Sequence, residues 1–470
     1  MKKTENIAYV LLLAFIAALG GFLFGYDTAV ISGTTEDVKA HFSLTDMQLG
    51  WYVGCAIVGS IIGVLMAGKL SDVFGRKPVL LFSAVLFTAS AAGCAIYTTF
   101  DQLVMYRIIG GVGIGVASII SPLYISEISI TRFRGSMVAL YQLAITIGIL
   151  GSYLANSAVL KWSNTVVFDD GILKLWVNDE VWRAMLGMET IPAILFFLVI
   201  FFIPESPRWL IVKQKNTAAI RVLEKIYVPE RAQQEFKNVQ ELVSNDEKSN
   251  WRLLLQPGFR IALFIGVALA ILGQFMGVNA VFYYGPKFLG EAGMDKASSL
   301  DLQVWIGLVN VLSTILAMFI IDKIGRKKLV YIGVSGMIVM LGCIGAFFYA
   351  YAHGSDVSGN LLLFFMMSYV FFCAISICVV IWVLVSEMYP VKIRGAAMSI
   401  AGFSLWIGTY LIGQLTPWLT STLSAYGVFW LFGVMCIPYL LITYFMVPET
   451  TGKSLEDIEK MWRERSKKES

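Results

Sequence analysis

The feature that most constrains this chain is a recurring apolar run of about 20 residues, the length needed to cross a bilayer core of roughly 30 Å. Twelve such runs occur, in the stretches 7–33, 47–70, 79–99, 103–126, 137–160 and 185–203, and then 259–288, 302–322, 329–351, 361–387, 396–420 and 426–447. A polar block from Pro204 to about Phe259 divides them six and six. The expected fold is an all-α membrane protein of twelve transmembrane helices. Its parts are a six-helix bundle at 1–203, a helical linker at 204–258, a second bundle at 259–447 and a tail at 448–470. Composition agrees: 57% of the 470 residues are hydrophobic and only 14% charged, too few polar groups to cover a soluble globule of this size.

The first run follows Lys2 and Lys3, as a signal peptide would. It continues to Ser32 with no small-residue cleavage site, so it reads as the first membrane helix. Lys and Arg in short loops set orientation. Lys69, Arg76 and Lys77, then Arg132 and Arg134, then Lys323, Arg326, Lys327 and Lys328, then Lys392 and Arg394 all fall on the side of the linker and both termini. That side is expected to be cytoplasmic, in a plasma (bacterial inner) membrane. The net charge of +4 is dispersed among these loops, a distribution that implies no nucleic-acid partner. In the linker, Ala218, Val222, Leu223 and Ile226, then Phe236, Val239, Leu242 and Val243, have helical spacing on either side of Pro229, and predict short amphipathic helices. On the opposite side, VVFDDGILKLWV (Val166 to Val177) carries apolar runs around Asp170 and Gly171, a hairpin-like signal. The six cysteines, Cys55, Cys94, Cys343, Cys373, Cys378 and Cys436, lie in apolar segments without a CxxC or a loop pair, so neither a disulfide framework nor a zinc site is expected. His41 and His353 fall in loops, so a proton relay within the membrane has to rest on carboxylates.

Asp27 is such a carboxylate, lying in the apolar segment GGFLFGYDTAVISG (Gly20 to Gly33). An ionised group at membrane depth costs several kcal/mol and marks a substrate, ion or proton path. Arg107 and Glu189 are further ionisable residues inside predicted spans of the same half. A cation between two carboxylates makes a switch, because its distance from each sets their proton affinity. Glu189 stands near the edge of its span, within reach of the headgroup region.

The two halves repeat the same punctuation. GKLSDVFGRK (Gly68 to Lys77) returns as DKIGRK (Asp322 to Lys327), SEISITRFRG (Ser126 to Gly135) as SEMYPVKIRG (Ser386 to Gly395), and PESPR (204–208) as PETTGK (448–453). The chain is therefore a duplicated bundle, whose substrate site is expected at the repeat interface near the midplane. At the ends of these helices, Asp72 with Arg76, their counterparts Asp322 and Arg326, and Glu127 or Glu387 with the Arg134 or Arg394 arms are candidate bridges of a cytoplasmic gate.

These pieces, together with YRIIGGVGIG (Tyr106 to Gly115), PESPRWL, GQFMGVNAVFYY (Gly273 to Tyr284) and PETTGKSLEDIE, resemble over essentially the whole chain the sugar porter branch of the major facilitator superfamily. Within it the chain is most similar to bacterial proton symporters of the xylose type. The resemblance implies that Asp27 is the proton acceptor and Arg107 its partner, whereas facilitative members commonly carry an uncharged residue at that position. Sugars are held by amides on hydroxyl pairs and by aromatic faces on the C–H side of the ring. By resemblance Gln142, Gln274, Asn279 and Trp382 match sugar contacts, with Asn310, Phe24, Tyr283 and Trp406 lining the cavity. Gly273 and Gly277 could loosen helix 7 into a gate.

The sequence departs from the family at three places. Gly273 stands where a glutamine is usual, Leu405 where an amide precedes Trp406, and CVVIW (Cys378 to Trp382) where GPxxW is familiar. The expected function is import of a monosaccharide, xylose or a related pentose or hexose, with a proton, by one chain in a lipid membrane, with no cofactor or metal. A facilitative carrier, a proton/polyol (inositol) symporter and a non-transporting sensor are the alternatives. No nucleophile and base pair or nucleotide loop points to an enzyme; the glycines of YRIIGGVGIG lie in an apolar helix and suit close packing.

Overall fold

The computed structural model describes residues 5–244, 257–389 and 391–447, without the side chains at 242–244, 257–258, 322, 382–383, 385–387 and 391–394. Among the described residues, eleven stretches are long and apolar enough to cross a membrane. The last, Gly395–Phe445, runs 51 residues, roughly 75 Å of helix and more than two bilayer cores. It turns at Ser424 (φ 60°) and so supplies two of the twelve expected spans.

Two compact units emerge, 1–37 with 55–247, and 38–54 with 248–470. In the first, the long helices are α1 (Ile7–Val30), α3 (Asp46–Phe74, from residue 55 on), α4 (Arg76–Ile96), α5 (Phe100–Ile128) and α6 (Arg134–Thr165). The short α2 (Thr35–His41) follows α1. The sixth span is broken into α8 (Val181–Gly187) and α9 (Thr190–Val199).

Small residues bring these helices together. A Cβ on Gly25 would run into the Ile145 carbonyl of α6, and one on Gly148 into the Phe22 carbonyl of α1. Between α3 and α5 the approach is again reciprocal, Gly59 and Gly63 against the Ile108 and Val112 carbonyls, Gly111 and Gly115 against those of Ala56 and Ser60. The glycines of YRIIGGVGIG thus serve close packing, the lipid-phase route to helix association.

The stretch 166–179 is not a hairpin. It forms a single turn, α7 (Gly171–Leu173), continued by a π-helical segment, Lys174–Asp179. The Asn178 side chain closes the segment on itself: Oδ1 accepts from Phe168 N at 2.9 Å and Nδ2 donates to Val166 O at 2.7 Å. A side chain in this way takes the backbone groups that a second strand would have used.

The linker helices are α10 (Pro207–Val212), α11 (Asn216–Ile226) and α12 (Pro229–Ser244). Trp209, Leu210, Ala219, Val222, Leu223, Ile226 and Ala232 form one core with Val10 of α1 and Ile130, and Phe236 and Val239 pack against it. The segment therefore belongs to the first unit's core. The chain's start is fastened to it by an isolated antiparallel bridge between Glu5 and Tyr227, an Asn6 N to Ile226 O bond of 2.8 Å, and an Arg231 to Glu5 ion pair of 2.9 Å.

The second unit contains α13 (Pro257–Phe275), α14 (Val278–Glu291), α15 (Lys296–Ile324), α16 (Arg326–Ala352), α17 (Gly359–Ile375), α18 (Ile377–Met388) and α19 (Val391–Phe445). Residues 38–54 join it through Gln414, whose Nε2 donates to Met47 O at 2.9 Å.

Candidate functional site

In the first unit the three ionisable residues meet. Arg107 of α5 donates through Nη1 to Oδ1 of Asp27 on α1, and the two side chains are 3% and 2% exposed. Asp27 Oδ2 has no hydrogen-bond partner among the described residues, and a Cβ on Gly110 would lie 3.9 Å from it. Glu189 is buried, at the junction of α8 and α9, within electrostatic reach of both Asp27 and Arg107. Asp27 thus has one oxygen on the guanidinium, and its carboxyl stands beside that of Glu189.

Phe24 and Gln142 are half-buried in the same unit. The approach of Gly21 to the Tyr141 ring and of Gly25 to Ile145 packs α1 closely on α6. The Gln142 amide makes no hydrogen bond with a described residue.

In the second unit the polar centre is a break in the seventh span. α13 stops at Phe275, and α14 starts after Gly277, whose φ of 89° is left-handed. The freed Met276 carbonyl is taken by the Tyr369 hydroxyl at 2.7 Å. In an unbroken helix, residues five apart face different directions. Here the break brings Asn279 Nδ2 to Gln274 Oε1 at 2.7 Å, and Thr409 Oγ1 of α19 joins the same oxygen at 3.0 Å. The Gly273 position faces Ile377 and Tyr439, which a Cβ would meet at 3.5 and 3.7 Å. Asn310 and Tyr283 are buried and Trp406 half-buried. Tyr284, whose hydroxyl donates to Gly413 O at 2.7 Å, is fully buried rather than in an interfacial belt. The side chain of Trp382 lies outside the described residues.

At the basic ends of the first unit, Arg76 grips Glu127 with two hydrogen bonds of 2.9 Å, from Nε to Oε2 and from Nη2 to Oε1. The expected Asp72 partner is 3.5 Å away and 78% exposed, and the Glu127 to Arg134 pairing is not formed. Arg134 is exposed and makes no ion pair with a described residue. The reason is reach: Arg76 and Glu127 sit at adjacent ends of the packed helices α4 and α5, whereas Arg134 opens α6 beyond the Thr131–Phe133 turn. Arg326 is half-buried, and the side chains of its expected partner Asp322, and of Glu387 and Arg394, lie outside the described residues.

Glu205 was not singled out from sequence, yet its carboxylate caps α4. It accepts from the backbone N–H of Arg76 at 2.9 Å, of Lys77 at 3.3 Å and of Ser206 at 2.8 Å. Burial raises its carboxyl above the usual range, while these donors and Arg76 pull the other way. The available signal was a carboxylate directly after Pro in both PESPR and PETTGK. Thr409 was also missed, though it is one turn from Leu405 on the same helical face.

Residues 13–462 match the family model described as "Sugar (and other) transporter". The chain is 36% identical over 462 residues to the arabinose-proton symporter of Bacillus subtilis, covering 98% of this chain and 97% of that one. It is 35% identical over 501 residues to the D-xylose-proton symporter of Escherichia coli K12, covering 100% and 99% respectively. Among solved structures, the xylose transporter XylE from E. coli in a partially occluded inward open conformation superposes with a TM-score of 0.82 at 33% identity, covering 95% of this chain and 100% of that one. Duplicated helices, a buried ionic pair and whole-length similarity together make this chain a multi-pass membrane protein of the sugar transporter family.

Proposed function

We propose that the chain imports a monosaccharide together with a proton by alternating access, with one chain as the transporting unit and both termini and the linker helices in the cytoplasm. The observation that carries this reading is the buried Asp27–Arg107 pair with the buried Glu189 carboxyl beside it. A proton arriving on Oδ2 removes the charge that holds Arg107, and Glu189 then stands as the alternative partner for the guanidinium. Leaving a buried ion without its partner costs about 3–5 kcal/mol, so protonation and the position of Arg107 have to change together. That coupling links proton uptake to a conformational step.

Gln142 and Phe24 in the first unit, and Gln274, Asn279, Asn310, Tyr283, Trp382 and Trp406 in the second, are the proposed sugar contacts. Gln274 Oε1 accepts from Asn279 and Thr409. A sugar hydroxyl pair would exchange with those bonds, at little net cost in hydrogen bonding. The basic-side residues Asp72, Arg76, Glu127, Arg134, Asp322, Arg326, Glu387 and Arg394 form the proposed cytoplasmic gate, with the Arg76–Glu127 grip as its firmest element. Support for the substrate class comes from relatives named as symporters of arabinose, xylose and galactose with protons.

One proton falling through 100 mV yields about 2.3 kcal/mol and each pH unit about 1.4 kcal/mol, enough together for a several-hundredfold gradient of a neutral sugar. The test is uptake of radiolabelled arabinose, xylose, glucose and inositol into proteoliposomes, with and without an inward proton gradient. Wild type should accumulate a sugar above equilibrium, and Asp27→Asn should lose accumulation while keeping counterflow exchange. Equal behaviour of the two proteins, with equilibration only, would overturn symport in favour of facilitated diffusion.

A further inference from the structure

The tenth span carries a break that its sequence does not announce. α17 ends at Ile375 and α18 begins at Ile377, and Ser376 between them has φ −117° and ψ −89°, outside the helical region. No proline or glycine stands here. The Ser376 hydroxyl turns back to the Phe372 carbonyl at 2.6 Å and fits against Gly333 of α16, where any Cβ would collide with it. Back-bonding by serine bends helices, and the absent side chain at 333 makes the room.

On either side of this break stand two thiols. Cys373 is buried in α17, Cys378 is half-buried in α18, and their sulfur atoms are 3.6 Å apart. Five residues in a straight helix would point them apart. Their contact is a product of the bend at Ser376.

We propose that Cys373 and Cys378 form a dithiol site that chelates a trivalent arsenical, and that the chelate locks the bend of the tenth span and stops transport. This rests on the reading above that the chain transports sugar by moving its helices. The chemistry balances without an oxidant. Phenylarsine oxide and two thiols give one arsenic bridged to both sulfurs and one water: the arsenic–oxygen bond breaks, two arsenic–sulfur bonds form, and both thiol protons leave with the oxygen. Because the bridge joins the last turn of α17 to the first turn of α18, it closes a ring across Ser376. The angle at Ser376 is then no longer free to change. Cys436 is the nearest control: its thiol is committed to the Phe432 carbonyl at 3.4 Å within its own helix.

The test uses purified full-length protein in proteoliposomes, exposed to phenylarsine oxide and read in parallel by intact-mass spectrometry and by sugar counterflow. One phenylarsenic group per wild-type chain is expected, absent in Cys373→Ser and Cys378→Ser and retained in Cys436→Ser. Counterflow should fall to background in wild type, return on addition of a competing dithiol but not of a monothiol, and be untouched in the two pair variants. Cys373→Ala and Cys378→Ala, checked for monodispersity, guard against a serine that disturbs folding. Retention of the label in either single variant, no label on wild type, or full labelling with unchanged counterflow would each overturn the proposal. The mass readout decides the site even for a chain that exchanges none of the sugars offered, so its failure is distinguishable from failure of the transport reading.

Discussion

Glu127 commits both of its oxygens to Arg76 and is 3% exposed, while Asp72, the acid nearest to Arg76 in sequence, is 78% exposed. The i,i+4 spacing of Asp72 and Arg76 is legible from sequence. The partner 51 residues away is not, since only packing of α4 on α5 creates it. Removing one member of a buried pair strands the other, so Arg76→Ala is expected to destabilise the first unit by about 3–5 kcal/mol, and Arg76→Lys to recover only part of that because an ammonium cannot make the fork. Asp72→Asn should move stability by less than about 0.5 kcal/mol, as befits an exposed contact. Thermal unfolding in detergent separates the three variants. Glu205→Ala removes the carboxylate that caps α4 and should cost about 1–2 kcal/mol in the same assay. Asp27 and Arg107 were readable because a charge in an apolar run is conspicuous. Thr409, an ordinary hydroxyl in a membrane helix, was not.

Breaks within spans decide where side chains meet, and their legibility differs. Gly277 stood out beside Gln274 and Asn279, and the seventh span does turn there with a left-handed φ of 89°. The bend at Ser376 carries no comparable sequence mark, because a serine back-bond can substitute for Gly or Pro. Gly273 and Gly277 of the seventh span therefore predict opposite outcomes. Gly277→Ala forces a Cβ into a left-handed residue and into the Phe432 ring, and should cost several kcal/mol together with most transport. Gly273→Ala meets only ordinary contacts at 3.5 Å and beyond, and should raise stability by about 0.5–1 kcal/mol through its helix preference. Melting temperatures and counterflow of the two variants provide the comparison. Residues 166–179 show the converse failure, where apolar runs around Asp170 and Gly171 suggested paired strands and Asn178 instead folded the segment on itself.

Across the molecule, duplication is visible in atoms as well as letters. Gly75 and Gly325 precede α4 and α16 with φ of 104° and 92°. The lysine two residues on in each repeat, Lys77 or Lys327, donates to carbonyls at the end of its unit's final span, Phe201 in one and Tyr444 and Val447 in the other. Twelve spans and the six-plus-six division could be counted from hydropathy, since the bilayer imposes its length on every helix. That the linker shares a core with α1 could not, because amphipathic spacing names a buried face without naming what buries it. Ile226, 1% exposed in that core, is expected to cost about 2–5 kcal/mol when replaced by Ala, and limited proteolysis within the linker should report the loss. The bridge from Glu5 to Tyr227 also has a meaning in time. During synthesis at about 5–20 residues per second, Glu5 is made some 10–45 seconds before Tyr227 exists. Glu5 thus waits for most of its half before it finds its place, and a nascent chain halted before residue 227 would leave Glu5 unbridged.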